Sequence, residues 1–127
     1  MDPSKTIVIV GGGFAGTTLV RALHGKLPQG YEVILVSEES YTTFNPMLPE
    51  AVGASIFPEQ VVAPIRQMLN AARFVMGRVT AVDLTRKTLT ATTLAGESTI
   101  RYEHLVLAFG NRARLDLIPG LAENALP

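Results

Sequence analysis

The glycine-rich stretch at positions 11–16 is the part of the sequence whose residue types favour binding a charged ligand. It reads GGGFAG and directly follows the apolar run TIVIV. We interpret Gly11 as the residue of a tight turn, Gly13 as the point of close ligand approach, and Gly16 as the contact between helix and strand. A helix starting near Phe14 would add free N–H groups and a positive dipole end, which favour a phosphate. Because this glycine pattern alone is common, the strand and helix around it are what make it informative.

Polar residues follow the second apolar run and form a candidate ribose edge. The run YEVILV is followed by Ser37, Glu38 and Glu39. A carboxylate about twenty residues past the glycines often accepts hydrogen bonds from an adenosine ribose, and either glutamate fits. Ser37 also has a hydroxyl that can bind one, while a solvated acidic turn explains each glutamate equally well. No arginine directly follows the strand, which disfavours a 2′-phosphate ligand.

No residue pattern predicts chemistry performed by a side chain. His24 and His104 have no partner pattern and are interpreted as surface or strand-end histidines, not as bases or metal ligands. Met47, Met68 and Met76 are interpreted as packing residues. No carboxylate dyad, Ser/His/Asp order or nucleophile elbow is present. We therefore predict no catalytic residue and no metal site, and expect a bound cofactor to carry the chemistry.

Composition narrows the class of protein. The chain has 127 residues, 47% of them hydrophobic, which suffices for one domain with its own core. Eleven basic and eleven acidic residues cancel, so charge does not favour nucleic acid. There is no cysteine, which excludes disulfides and thiol redox chemistry in this chain and is compatible with a cytoplasmic location. The apolar runs are far shorter than the ~20 residues of a membrane-spanning helix.

The elements that would position the glycine turn follow from hydrophobic periodicity. Residues 6–10 predict a buried strand, followed by a helix from Phe14 that ends around 25–30, where Pro28 acts as a stop. Residues 31–36 predict a second strand, parallel to the first and beside it. An irregular loop with a short helix at most is expected over 40–55, followed by a helix over 58–70 with one apolar face.

The second half of the chain changes to a period of two. Residues 73–103 predict a three-stranded antiparallel meander with turns at 85–86 and near 95–96. The run LVLAFG then predicts a buried parallel strand on the other side of the first one, followed by a polar, Pro- and Gly-rich tail. The predicted fold class is α/β, with a parallel sheet and a meander.

Taken in order, these motifs resemble the FAD-binding N-terminal segment of the type II NADH dehydrogenases, which are NADH:quinone flavoproteins. GGGFAG looks like the first FAD fingerprint of that family. SEESYTTFNPMLPEAVGAS is similar to its loop N-Y-x-x-F-x-P-L-L-P-E-V-A-x-G, which is a much more specific motif. VMGRVTAVDL resembles its adenine-contacting strand, and HLVLAFGNRARLDLIPGLAENALP resembles its A-T-G-like segment leading to I-P-G-L. The resemblance covers nearly the whole chain.

The resemblance implies a Rossmann-like FAD-binding domain in an enzyme that passes electrons from NADH through FAD to a quinone. It also implies a set of cofactor-binding residues. These are Gly11, Gly13, Phe14, Ala15 and Gly16 for the pyrophosphate, Ser37 and Glu38 for the ribose, the backbone of Val79 for the adenine, Asn45, Pro46 and Met47 near the flavin, and Ala108, Phe109 and Gly110 along the middle of the cofactor.

The sequence departs from the family at four points. Ser37 stands where many members carry the ribose acid, Phe109 replaces a small hydroxyl residue, and Val20 replaces a smaller helix residue. The chain also stops at Pro127, where the family continues into an NADH-binding domain, a returning FAD-domain segment and a membrane-associating C-terminus. We therefore expect a fragment of a longer enzyme that is peripheral on the inner face of the cell membrane, and we expect the fragment to be inactive alone and to self-associate.

Two alternatives remain open at the level of sequence. One is a flavoprotein resembling the sulfide:quinone oxidoreductases, whose cysteines could lie outside this chain. The other is a dinucleotide-binding module without catalysis. Disulfide reductases share the glycine turn but place a redox cysteine pair after the second strand, where this chain reads FNPMLPEAVG, so that class is excluded.

Overall fold

The computed structural model describes residues 5–69, 71–111 and 114–124, and is built on a six-stranded sheet. The strands of the chain are β1 (Thr6–Val10), β2 (Glu32–Ser37), β3 (Tyr41–Thr43), β4 (Val62–Pro64), β5 (Arg73–Asp83), β6 (Thr88–Thr93), β7 (Gly96–Arg101) and β8 (His104–Leu107). The helices are α1 (Phe14–Leu23), α2 (Leu48–Val52), α3 (Ile65–Met68) and α4 (Leu121–Asn124), with short 3₁₀ helices at Asn45–Met47, Pro58–Gln60 and Leu115–Leu117.

The parallel centre of the sheet agrees with the sequence prediction. β1 lies between β2 and β8 and runs parallel to both, with Val8 opposite Ile34 on one side and Leu105 on the other. All five residues of β1 are buried, as its continuous β-branched run predicts for a central strand. The carboxyl ends of three strands therefore meet at one edge of the sheet, and the glycine turn begins there.

The meander is also confirmed, but it is continuous with the parallel sheet. The strand order is β7-β6-β5-β2-β1-β8. The first residues of β5 pair parallel with β2, from Arg73 opposite Ile34 to Met76 opposite Ser37. Beyond Met76, β5 runs past the end of β2 and pairs antiparallel with β6. A period-two pattern does not reveal that one strand serves both halves of the sheet.

Two cores lie on opposite faces of the parallel strands, because alternate residues of a strand point to opposite sides. On one face Val8 and Val10 pack with Leu89 of β6 and Ile100 of β7. On the other face, Ile7 and Ile9 pack with residues of the helices, including Val20 of α1 and Ile65 of α3. Val20, one of the departures from the family pattern, is 3% exposed and belongs to this helical side of the core.

The first helix ends earlier than predicted. α1 stops at Leu23 and not at 25–30, and the N–H of His24 donates to the carbonyl of Arg21 at 3.3 Å. Gly25 follows with φ of +69°, a left-handed conformation that glycine adopts without a steric penalty and that terminates helices. The glycine ends the helix, so Pro28 is not the stop signal.

The helix predicted over 58–70 is wrong for most of its length. Pro58–Gln60 forms a 3₁₀ helix, β4 pairs antiparallel with β3, and only Ile65–Met68 is α-helical. Pro64 explains the break, because proline lacks an N–H and disfavours helical backbone in the residue before it. Asn70, the predicted end of this helix, lies outside the described residues.

The loop predicted over 40–55 contains the expected short helix, α2, but also β3, which the sequence did not reveal. Pairing with β4 over only three positions gives β3 its strand conformation, and this pairing is not local in sequence.

β8 is less buried than predicted. Leu105 and Val106 are half-buried and Leu107 is 57% exposed, because β8 is one of the two edge strands that the sheet has among the described residues. The tail continues through the 3₁₀ helix Leu115–Leu117 to α4, while residues 112–113 and 125–127 of the predicted tail lie outside the described residues. Within the described ranges, no helix has the length and apolar character needed to cross a bilayer.

Candidate functional site

The candidate site is built on the turn between β1 and α1. Gly11 has φ of +113°, and its N–H donates to the carbonyl of Val36 on β2 at 2.8 Å. A Cβ added at Gly11 would overlap the carbonyl oxygen of Ala108 and lie 2.8 Å from the Cα of Phe109. Both the positive φ and the lack of space require glycine here, in agreement with its interpretation as the turn residue.

Two more glycines of the turn are packed against protein atoms and leave no space for a side chain. A Cβ at Gly16 would overlap the carbonyl oxygen of Gly11, so the helix packs directly on the turn. A Cβ at Gly12 would overlap Cδ1 of Ile65 and lie 2.7 Å from Oγ of Ser37. The sequence pattern treats position 12 as unrestricted, and the crowding from α3 that restricts it has no local sequence signal.

Gly13 differs from these three glycines because it faces open space. It is exposed, it is the N-cap residue of α1, and an added Cβ would meet nothing within 4 Å. Its φ of −79° is accessible to any residue, so the backbone itself does not require glycine here. Its carbonyl accepts the first intrahelical bond, from the N–H of Thr17 at 3.0 Å. The space at Gly13 is therefore open to a ligand.

The first turn of α1 supplies donors beside that space. The first N–H groups of any α-helix lack intrahelical partners, and here the N-cap residue Gly13 has no side chain to cap them. The ten-residue helix has no acidic residue in its first turn, so its positive dipole end is not neutralised locally. The residues present therefore fit a phosphate group, which this arrangement of backbone would bind without a cationic side chain.

The ribose-edge candidates lie on two sides of the end of β2. Ser37 lies beside Gly12, close to the turn. Glu38 lies 3.9 Å (Oε1 to Nε) from Arg78, which reaches it from β5. The sequence showed no arginine directly after the strand, and Arg78 was missed because it arrives through the parallel pairing of β2 with β5. A positively charged side chain, that of Arg78, therefore lies at the acidic edge.

An open groove of about 390 Å³ runs along this acidic edge. Its lining combines the two glutamates with parts of β5, β6 and the turn after β6. The lining residues are Glu38, Glu39, Met76, Gly77, Arg78, Thr92, Thr93 and Leu94. Val79, the predicted adenine contact, lies next to this lining on β5, opposite Ala91, with its side chain packed against the core.

The predicted flavin-facing residues lie in the segment of residues 41–64, which connects β2 to α3 and is called the excursion below. Asn45, Pro46 and Met47 form a 3₁₀ helix that directly follows Phe44. The rings of Phe44 and Phe14 meet edge to face, with centroids 5.7 Å apart and planes at 84°. This contact brings the start of the Asn45–Met47 helix close to the first residue of α1.

The segment after β8 completes the rim of the turn. The N–H of Ala108 donates to the carbonyl of Val10 at 2.7 Å, which extends the parallel pairing up to Gly11. Phe109 is 67% exposed, and Gly110 has φ of +63°. The structure therefore gathers the glycine turn, Ser37, the Phe44 region and Ala108 around the carboxyl ends of β1, β2 and β8.

Side chains with independent chemistry are not gathered here. His24 is the exposed C-cap residue of α1, and His104 is the exposed first residue of β8. Among residues 5–69, 71–111 and 114–124, no group of three His, Cys, Asp or Glu side chains is placed to hold a metal ion. A second cavity, of about 300 Å³, lies at the other end of the sheet, where the end of α1 faces Leu69, Ala71 and Ala72, away from the glycine turn.

Comparison with known proteins identifies relatives. A family model described as pyridine nucleotide-disulphide oxidoreductase matches residues 5–126. A Schizosaccharomyces pombe protein, named as a probable mitochondrial NADH-ubiquinone oxidoreductase, is 34% identical over 132 residues, covering 96% of this chain and 23% of that protein.

The fold is shared with solved structures, among them the following two. NDH2 from Plasmodium falciparum matches with a TM-score of 0.85 and 24% identity, covering 95% of this chain and 25% of that one. The sulfide:quinone oxidoreductase of Aquifex aeolicus matches with a TM-score of 0.81 and 24% identity, covering 95% and 28% of the two chains. The predicted fold class and the resemblance to NADH:quinone flavoproteins are confirmed, and the chain spans about a quarter of the length of these relatives.

Proposed function

The chain belongs to the pyridine nucleotide-disulphide oxidoreductase family, and we propose that it forms the N-terminal part of an FAD-binding domain in an NADH:quinone oxidoreductase. The observation that carries this proposal is the contrast among the glycines of the turn. Gly11, Gly12 and Gly16 are pressed against protein, whereas Gly13 faces open space at the N-terminus of α1. A turn with only a structural role would not need a glycine at Gly13.

The residues of the site divide by the part of FAD that each would hold. The N–H groups at the start of α1, from Phe14 to Gly16, would bind the pyrophosphate in the space beside Gly13. Ser37 is favoured for a ribose hydroxyl because it lies beside the turn, while Glu38 already has Arg78 nearby. The groove along β5 would receive the adenine, Asn45–Met47 would approach the flavin, and Ala108–Gly110 would line the middle of the cofactor.

The proposed chemistry is electron transfer from NADH to a quinone, and this chain contributes the binding of the cofactor. When bound, FAD supplies the redox chemistry, since it can accept a hydride and release electrons. Backbone donors and hydroxyls of this chain would hold it in position and keep its anionic pyrophosphate at the helix N-terminus. Because quinones dissolve in membranes, we propose that the whole protein works at a membrane surface. The predicted cytoplasmic location stays a prediction.

A sulfide:quinone activity is the second candidate, and the shared fold with the Aquifex aeolicus enzyme favours it. The Schizosaccharomyces pombe relative is more similar in sequence than the Aquifex aeolicus enzyme, and its name as a probable NADH-ubiquinone oxidoreductase favours NADH as the electron donor. To distinguish the NADH:quinone activity from the sulfide:quinone activity, purified full-length protein is supplied with a short-chain quinone and either NADH or sulfide. Quinone reduction with NADH and none with sulfide is the expected result. Reduction with sulfide alone would contradict the proposal, and a flavin-free protein inactive with both would favour a non-catalytic module.

A further inference from the structure

We infer that Phe44 is a positioning residue that aligns the segment predicted to face the flavin with the phosphate turn; this inference rests on the function proposed above. Its ring meets that of Phe14 edge to face, with 5.7 Å between centroids and 84° between planes. This geometry is favoured because the positive edge of one ring faces the negative face of the other. Phe14 is the first residue of α1, so the contact ends at the helix terminus that would bind phosphate.

The excursion at residues 41–64 has further anchors near its base, where Val61 is 4% exposed. At its base, β3 pairs with β4, and the N–H of Ile65 donates to the carbonyl of Ser40 at 2.9 Å. Further out, α2 and the two 3₁₀ helices of the excursion contain no buried residue. Core packing therefore does not hold the outer half of the excursion. The Phe44 ring is a contact that ties it to α1.

Hydrogen bonds transmit the position of Phe44 to the residues that follow it. Its N–H donates to the carbonyl of Val61 at 2.7 Å, and its carbonyl accepts from the N–H of Met47 at 3.0 Å. The backbone of Phe44 thus starts the turn that contains Asn45 and Pro46, while its side chain contacts Phe14. Through these two connections, Phe44 sets the distance between the phosphate turn and the Asn45–Met47 helix.

The exposure of the two rings agrees with a position at the edge of a ligand. Phe14 is 53% exposed and Phe44 is 45% exposed, although each covers part of the other. A bound cofactor that crossed from Gly13 to Asn45–Met47 would cover much of the remaining ring surface. Burial of that surface on binding would add to the stability of the holoprotein.

The test compares single-ring variants of the full-length protein. Phe44→Leu keeps an apolar side chain but removes the ring contact, and we expect FAD to bind about 2- to 10-fold more weakly, with an altered visible circular dichroism band of the bound flavin. Phe14→Leu is expected to give a similar loss, with no further loss in the double variant. Phe44→Tyr keeps a ring and should bind FAD as the wild type does.

Phe57→Leu is the matched control, because Phe57 lies on the same excursion and is 74% exposed. It should leave both the affinity and the flavin band unchanged. Limited proteolysis of the flavin-free protein adds a readout that needs no cofactor. Cleavage between residues 48 and 57 should be faster in Phe44→Leu than in Phe57→Leu, because the contact with α1 is lost.

The outcomes distinguish this inference from the proposed function. Wild-type protein that binds FAD, together with a Phe44→Leu variant that behaves like Phe57→Leu, would overturn the inference alone. Additive losses in the double variant would do the same. If Phe44→Leu does not fold, the other two variants test the inference. It is overturned if Phe14→Leu binds FAD as the wild type does, or if Phe44→Tyr binds FAD more weakly than the wild type. Wild-type protein that binds no FAD would overturn the proposed function and this inference with it.

Discussion

At the scale of single residues, substitution of two glycines of the same turn is expected to have different effects, one on FAD binding and the other on folding stability. Gly13→Val should leave folding intact, because the added side chain projects into open space at an ordinary φ. It should abolish FAD retention, because it fills the space that the pyrophosphate needs. Gly16→Ala should cost about 1–3 kcal/mol of folding stability, because its Cβ overlaps the Gly11 carbonyl.

Thermal unfolding of the flavin-free full-length protein and flavin content per folded chain separate the two effects. A Gly13→Val variant that kept its full flavin content would contradict the assignment of this turn to a dinucleotide. A Gly16→Ala variant as stable as the wild type would contradict the packing of α1 on the turn.

The ribose partner is a second question at this scale. Ser37→Ala is expected to weaken FAD binding by about 1–3 kcal/mol, because a buried hydroxyl of the ligand would lose its hydrogen-bond partner. Glu38→Ala is expected to have a smaller effect, because the carboxylate of Glu38 lies near Arg78 at an exposed position. Titration of the flavin-free variants with FAD measures both. A larger loss of FAD affinity in Glu38→Ala than in Ser37→Ala would make Glu38 the ribose partner. Negligible losses in both variants would exclude both residues as ribose partners.

At the scale of elements, α3 is expected to control what the turn tolerates. Gly12→Ala should lower the thermal stability by an amount that corresponds to about 1–3 kcal/mol, because the new methyl group overlaps Cδ1 of Ile65. Ile65→Val removes that carbon, so the double variant should lose less than the sum of the single losses. Thermal unfolding of the three variants gives the coupling. Additive losses would mean that Ile65 does not restrict Gly12.

The elements also show what the sequence could predict. Continuous apolar runs identified β1 and β2, and the glycine spacing identified the turn and α1, because these signals depend on burial and backbone conformation within short segments. The spacing of Val61, Ile65 and Leu69 suggested a helix, although it reflects three buried contacts made by different elements. The contacts of Gly12 with Ile65, and of Glu38 with Arg78, join residues far apart in sequence and have no local signal.

At the scale of the whole molecule, the chain by itself is expected to lack turnover. The relatives extend over about four times its length, and the proposed NADH site would lie beyond it. Each hydrogen bond to FAD that is missing from the isolated chain typically forfeits about 0.5–1.5 kcal/mol, so several losses weaken binding by orders of magnitude. We expect no NADH:quinone activity from the isolated 127 residues and weak or no FAD binding. Quinone reduction that scales with the concentration of the fragment would refute this expectation.

The isolated chain is also expected to self-associate. Within the part of the chain that the structure describes, β8 pairs on one side only, and Leu107 and Phe109 at its end are 57% and 67% exposed. Unpaired strand edges with apolar neighbours are prone to pairing between molecules. Sedimentation velocity over a range of concentrations measures the effect, and a monomer throughout that range would count against it.

We propose that this chain holds FAD at the glycine turn, and the flavin content of the full-length protein is the decisive measurement. Wild-type protein and its Gly13→Val variant are purified under identical conditions, denatured, and the released flavin is identified and measured per chain. We expect about one FAD per wild-type chain and almost none in the variant, with both proteins folded. Wild-type protein without flavin, or a variant with as much FAD as the wild type, would contradict it.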